Sequence, residues 1–223
     1  QGIINLRGNV IEMPKTKKPE PKKKEITISS EVNQQAYDWL RDRCISSETA
    51  ESLGAVLVKK NNKPVIGFTY LCEDSGEVDA VKWRSANGSK DFWWENTANK
   101  LWGRQVYDDD LETIQDTIVI TEGEMDCLAI KEAFKSHANI YVYSVPNGAP
   151  NKITDSKIDP SEDGRFKYVW EERQKFEKAK RIILATDSDT AGDVLADELS
   201  RRLNKAKCFR VDYKGHKDAN DLL

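Results

Sequence analysis

The sequence predicts an α/β fold in two parts, a small α+β unit followed by a mostly parallel sheet. Three observations carry this reading. Residues 117–121 (TIVIT) and 181–186 (RIILAT) are continuous apolar runs, the mark of parallel strands buried on both faces. Each run passes at once into a helical pattern, 123–136 after the first and 190–204 after the second. Residues 140–145 and 208–213 supply further strands, so strands and helices alternate as in a parallel sheet with right-handed crossovers.

The elements follow in order. Residues 1–25 hold seven basic and three acidic side chains, and 12–25 contain six Lys and three Pro without an aromatic residue. Such a stretch cannot bury a core and reads as an extended, solvated tether, with weak phosphate attraction a compatible property. From Glu31 the pattern turns helical: Ala36, Leu40 and Cys44 step by four, Trp39 widens the stripe, and Ser29-Ser30-Glu31 offers a capping start. Ser46 or Ser47 caps a second short helix through Leu53. Strand-like runs at 54–59 and 64–71 flank a turn at 61–64, and a third run spans 77–84. Past the first parallel strands, 147–164 is a polar loop long enough to suggest a functional or disordered insertion. A helix over about 165–179 is marked by Phe166, Val169, Trp170, Arg173 and Phe176. The expected organisation is therefore a tether over 1–25, a small α+β subdomain over 26–113 and the parallel-sheet domain over 114–223.

Composition removes several classes. A net charge of −3 is not that of a polycation that coats nucleic acid. Cys44, Cys72, Cys127 and Cys208 form no Cys-x-x-Cys pair, which excludes a zinc ribbon in this stretch and reads as reduced thiols. No Walker A sequence occurs, so a P-loop ATPase is excluded within these residues. No run approaches the roughly 18 apolar residues a membrane helix needs, and no signal peptide pattern is present. Beginning at Gln1 rather than Met, the sequence reads as a piece of a longer chain.

The chemistry gathers where strands end. In open α/β sheets ligands sit beyond the carboxyl ends of the strands. The first apolar run leads into Glu122-Gly123-Glu124-Met125-Asp126, where Gly123 allows a tight turn and Glu122 projects from the strand tip. The second leads into Asp187-Ser188-Asp189 and then Thr190-Ala191-Gly192; at i and i+2 of an extended segment, Asp187 and Asp189 point the same way. A third cluster, Lys217-Asp218-Ala219-Asn220-Asp221, follows 208–213. Like charges converging on one sheet edge repel, and a divalent cation resolves the conflict. Ligands that are all oxygen, with His216 the only imidazole nearby, indicate Mg²⁺ or Mn²⁺ rather than zinc. Asp193 and Asp197, one turn apart on the last long helix, read as a solvated face.

The pairing of VITEGEMDCLAI with ILATDSDTAGDVLADEL, closed by KDANDLL, resembles a TOPRIM domain. The closing motif is similar to those of DnaG-type primases and of the bacteriophage primase-helicase family, related to mitochondrial Twinkle. Residues 46–56 with Lys82-Trp83-Arg84, Lys90-Asp91-Phe92 and Leu101-Trp102-Gly103 resemble the N-terminal subdomain of that family's RNA polymerase domain. The resemblance covers about residues 26–223 and implies a Rossmann-like TOPRIM domain over 114–223. It also implies a DNA primase, which makes short RNA primers from NTPs on a single-stranded DNA template. In that reading Asp187, Asp189 and Asp218 hold one or two Mg²⁺ or Mn²⁺ ions. Glu122 is the general base and also touches metal. Asp126 either orients the loop or ligates directly, with Asn220 in support. The family's zinc ribbon and helicase motor lie outside the sequence and are implied partners, the fragment being a monomer and the full-length protein a ring. The implied setting is the cytoplasm of a bacterial or phage-infected cell, or an organellar matrix. Two alternatives stand: a non-priming TOPRIM module of a Twinkle-like helicase that binds single-stranded DNA, and a TOPRIM nuclease.

For nucleic acid the best stretch is 82–104, with Lys82, Arg84, Lys90, Lys100 and Arg104 against Asp91 and Glu95, and with four of the six tryptophans. Cations for phosphate and flat rings for stacking suit single strands, though the same rings also suit a small core. Lys82, Arg84 and Lys90 are the candidates for triphosphate or template contact. Lys217 either touches a phosphate or pairs with the neighbouring acids.

Overall fold

A computed structural model describes residues 23–29, 31–104, 116–153, 159 and 162–223, besides a short antiparallel pairing of Ile3–Ile4 with Val10–Ile11. Apart from residues 23–25, the rest of the tether expected over 1–25 lies outside the described residues, as does the boundary expected between 113 and 114.

The first half opens with α1 (Gln34–Arg41), capped by Asn33, whose side chain accepts from the Ala36 N–H. The expected start at 29–31 is displaced because Val32 bridges to Val58 and holds the chain extended up to the cap. The helix also stops short of Cys44, which takes φ +57° and is exposed, so Ile45 rather than Cys44 enters the core. Ser46 caps α2 (Ser47–Ser52). Strands β1 (Ala55–Lys60) and β2 (Lys63–Leu71) form a hairpin turned by Asn61 and Asn62 at φ +50° and +63°. Asparagine tolerates those left-handed angles, which match the twist of a two-residue hairpin. β3 (Val78–Ser85) and β4 (Phe92–Glu95) complete an antiparallel sheet ordered β1-β2-β3-β4. The strand β4 was not expected from the sequence.

The second half is the expected parallel sheet, ordered β8-β7-β5-β6: β5 (Thr117–Thr121), β6 (Ile140–Ser144), β7 (Arg181–Ala185) and β8 (Cys208–Arg210). All five residues of β5 are buried, as a central strand covered on both faces requires. Helices α3 (Glu124–Ala133) and α6 (Thr190–Arg202) follow β5 and β7, and α7 (Ala219–Leu222) ends the chain. The helix expected over 165–179 is two, α4 (Lys167–Glu171) and α5 (Arg173–Lys178). The break falls at Glu172, whose buried carboxylate pairs with Arg104 at 2.6 Å and Lys175 at 3.1 Å.

One face of the parallel sheet shares its core with the antiparallel unit, Leu40, Ile45, Leu53, Phe68 and Trp102 packing with Met125, Leu128 and Val142. The other face is covered by α4 to α6 through Phe166, Phe176, Leu195 and Leu199. Trp102 joins the halves directly: its N–H donates to the Ser144 carbonyl at 2.9 Å and its carbonyl accepts from the Ser144 N–H. Gly103 makes that approach feasible, since at φ +86° a Cβ would lie 2.8 Å from the Val142 carbonyl oxygen.

Candidate functional site

Pairing register decides where the acids meet. Thr121 lies level with Ser144 on one side and Ala185 on the other, so the chain leaves β5, β6 and β7 at one edge. Glu122 follows β5 directly and Asp187 lies two residues beyond β7. Between this edge and the antiparallel sheet runs a cleft of about 850 Å³. Glu122, Asp126, Asp187 and Asp218 line it, with Lys82, Arg84, Lys90, Lys217 and Asn220.

Each acid has a distinct setting. Glu122 accepts the Ala149 N–H on Oε1 at 3.3 Å, while its buried Oε2 has no partner. Burial, and next the charge of Asp187, push its carboxyl above the ordinary glutamate range. Asp126, on the first turn of α3, accepts the Asn220 N–H at 3.2 Å. Burial first, and then Asp218, raise it to about 7. Asp218 caps α7 and accepts the Asp221 N–H at 2.8 Å. Asp187 faces the Lys217 ammonium at 2.9 Å, and Asp218 lies 4.0 Å from the same nitrogen.

Asp189 is placed differently from its companions. It caps α6, accepting the Gly192 N–H at 2.9 Å, is exposed, and is not among the residues lining the cleft. The chain turns into α6 at once after Asp189, so the shared direction expected for the i and i+2 carboxylates gives way to capping geometry.

Sequence reasoning missed the groups that hold the acids in place. Arg210 on β8 donates to the carbonyls of Thr186 at 2.7 Å and Asp187 at 2.6 Å, fixing the turn after β7. The Ser188 N–H donates to the Lys217 carbonyl at 2.7 Å, joining the Asp187 turn to the Asp218 segment. Gly192 fits only because it lacks a side chain: a Cβ would stand 2.0 Å from the Asp187 carbonyl oxygen. Glu124 is 2% exposed and receives the Lys82 ammonium at 2.8 and 2.9 Å and the Tyr70 hydroxyl at 3.1 Å. Its one available signal was a second acid in Glu-Gly-Glu.

The basic wall is built on aromatic rings. The Arg43 guanidinium stacks over Trp39 at 3.5 Å, and Arg84 lies 4.9 Å from Trp39 and 5.0 Å from Phe92. Arg84 Nε is buried without a partner. Burial, then the charge of Arg43, lower the pKa of Arg84. Lys90 is exposed at the rim.

The donor set fits a hard divalent cation. It is all oxygen, two of its carboxyls are raised by burial and by the neighbouring carboxylates Asp187 and Asp218, and one carboxylate oxygen is buried without a partner. Among the described residues no three of the acids already stand in ligand geometry, and Lys217 supplies the positive charge between Asp187 and Asp218.

An acidic cleft at the carboxyl ends of a parallel sheet, facing a basic antiparallel sheet, defines the class as an α/β protein with its site at the strand ends. Residues 119–223 match the Toprim-like family. A primase homolog protein of Arabidopsis thaliana is 35% identical over 235 residues, covering 100% of this chain and 65% of its own length. The chloroplastic/mitochondrial Twinkle homolog protein of the same plant is 36% identical over 195 residues, which are 83% of this chain and 26% of that protein. The chain thus spans less than two thirds of either curated relative. In fold it is similar to the primase fragment of the bacteriophage T7 primase-helicase protein, with TM-score 0.65 and 22% identity over 91% of this chain and 76% of that one. Among the described residues no helix is long and apolar enough to cross a membrane.

Proposed function

We propose that this chain is the nucleotidyl-transfer part of a DNA primase, making short RNA primers from NTPs on single-stranded DNA. One observation carries the reading: Glu122, Asp126, Asp187 and Asp218, scattered through the sequence, line one cleft opposite Arg84 and Lys90. Resemblance to a primase homolog over the whole chain supports it.

In this reading Asp187, Asp218 and Glu122 hold Mg²⁺ or Mn²⁺, with Asp189 beside them. Such an ion, when bound, neutralises the triphosphate and stabilises the attacking and leaving oxygens. Glu122 accepts the proton of the primer 3′-hydroxyl as that oxygen bonds to the α-phosphorus and pyrophosphate departs. Its unpartnered Oε2 is free to do so, and a carboxyl raised by burial is a stronger base than an exposed one. Asp126 and Asn220 tie α3 to the Asp218 segment. Arg84 and Lys90 meet phosphates, Lys82 stands behind them, and Phe92 and Trp94 offer faces for bases. Lys217 is placed to leave Asp187 for a phosphate. In this reading a zinc ribbon and a helicase ring belong to the longer protein, and its setting is the cytoplasm of a bacterial or phage-infected cell or an organellar matrix.

The test is NTP incorporation on single-stranded DNA with Mg²⁺ or Mn²⁺, with Asp187→Ala as control. Incorporation that the control abolishes is expected. Binding of single strands without incorporation in either metal overturns priming in favour of a non-priming Twinkle-like module, and plasmid cleavage in Mn²⁺ favours a nuclease.

A further inference from the structure

The chain leaves β6 beside the end of β5, where the Val145 N–H donates to the Thr121 carbonyl at 3.0 Å. The carbonyls of the next three residues all point to cations. Pro146 accepts from the Lys82 ammonium at 3.2 Å, while Asn147 and Gly148 accept from one Arg165 nitrogen at 3.3 and 3.1 Å. Gly148 turns the backbone at φ +59°, and the Ala149 N–H then reaches Glu122 Oε1.

Lys82 is fully committed. An ammonium has three donors. Here they meet Glu124 Oε1, Glu124 Oε2 and the Pro146 carbonyl, leaving none for a phosphate. Because each peptide is planar, fixing the carbonyls of 146–148 fixes the direction of the amide that follows.

Building on the role given to Glu122 above, we propose that Lys82 and Arg165 are positioning residues: they grip the 146–149 turn and hold the Ala149 amide on Glu122 Oε1, which keeps Oε2 available. Lys82 thus acts through the turn and not on the triphosphate. Arg165, which nothing in the sequence marked, is its counterpart from the segment before α4.

The experiment is amide hydrogen exchange at Ala149 in the full chain, followed by NMR. Arg165→Ala alters an exposed side chain. Lys82→Met alone strands a buried Glu124, so the paired Lys82→Met/Glu124→Gln variant removes both charges together. Both variants are expected to speed exchange at Ala149 about five- to tenfold, the worth of one net hydrogen bond. Lys90→Ala, a cleft cation that touches no turn carbonyl, is expected to leave this rate unchanged. In primer synthesis the turn variants lower kcat and leave KM for NTP unchanged. Unchanged exchange in both turn variants overturns the proposal, as does a raised KM with unchanged exchange, the signature of direct triphosphate contact. If the parent chain makes no primers, the primase reading fails, whereas exchange still decides what grips the turn.

Discussion

Lys217 Nζ stands 2.9 Å from Asp187 Oδ2, and this ion pair bridges two segments that are otherwise joined by one backbone hydrogen bond between Ser188 and Lys217. The pair first, through its hydrogen bond and charge, raises the lysine pKa. An ammonium in contact with a carboxylate competes with any metal for that oxygen. Lys217→Met is therefore expected to tighten Mn²⁺ binding about two- to fivefold, consistent with the roughly 0.5–1 kcal/mol of a partly exposed pair. Titration calorimetry on the free chain reads this directly. Weaker Mn²⁺ binding in the variant would assign the lysine a supporting role toward Asp187.

Gly192 makes a different claim on Asp187. The carbonyl that a Cβ would strike at 2.0 Å is backbone and cannot swing away, and the same carbonyl accepts from Arg210. Gly192→Ala should therefore cost about 1–3 kcal/mol or more by overpacking. It should also weaken divalent binding more than the stability loss alone explains, because the turn carrying Asp187 must move. Denaturant midpoints and Mn²⁺ titration on the folded variant separate the two effects.

The halves of the molecule are also joined by Glu132 on α3, which accepts the N–H at 3.0 Å and the hydroxyl at 2.5 Å of Ser46, the cap of α2. Desolvation would raise the Glu132 pKa, but hydrogen bonds from Lys135, Ser46 and Thr49 outweigh it and hold the carboxyl at about 2. A folded pKa below the unfolded one gives stability that is full above about 4.5 and is lost as pH falls toward 2. Glu132→Gln is thus expected to be less stable than the parent at pH 7 by about 1 kcal/mol. The difference should shrink as the solution is taken from pH 4.5 to pH 2. A gap independent of pH would show that the carboxylate charge contributes nothing.

What the sequence disclosed divides along a physical line. Buried parallel strands are apolar throughout, so β5 and β7 were legible from composition, and the acids that follow them came with the strands. Features set by distant partners were not. Val32 pairing with Val58 moved the start of α1, and Phe92–Glu95 carries no alternation that separates a paired strand from a stacking surface. Glu124 became a buried anchor only because Lys82, 42 residues away, neutralises it. Arg210 and Arg165 act through backbone carbonyls, contacts with no residue-type signature.

Arg84 offers the sharpest test of the basic wall. Its guanidinium lies near the rings of Trp39 and Phe92, its Nε is buried without a partner, and no carboxylate salt bridge neutralises it among the described residues. A cation placed among rings and kept off the acids is available to an incoming anion. Arg84→Met keeps the aliphatic packing and deletes the charge. It is expected to weaken single-stranded DNA binding at low salt and to reduce the slope of log K against log salt by about 0.7, one phosphate on a single strand. Fluorescence anisotropy over a salt series measures both quantities. A slope equal to that of the parent would mean that Arg84 meets no phosphate and serves to pack Trp39 against Phe92.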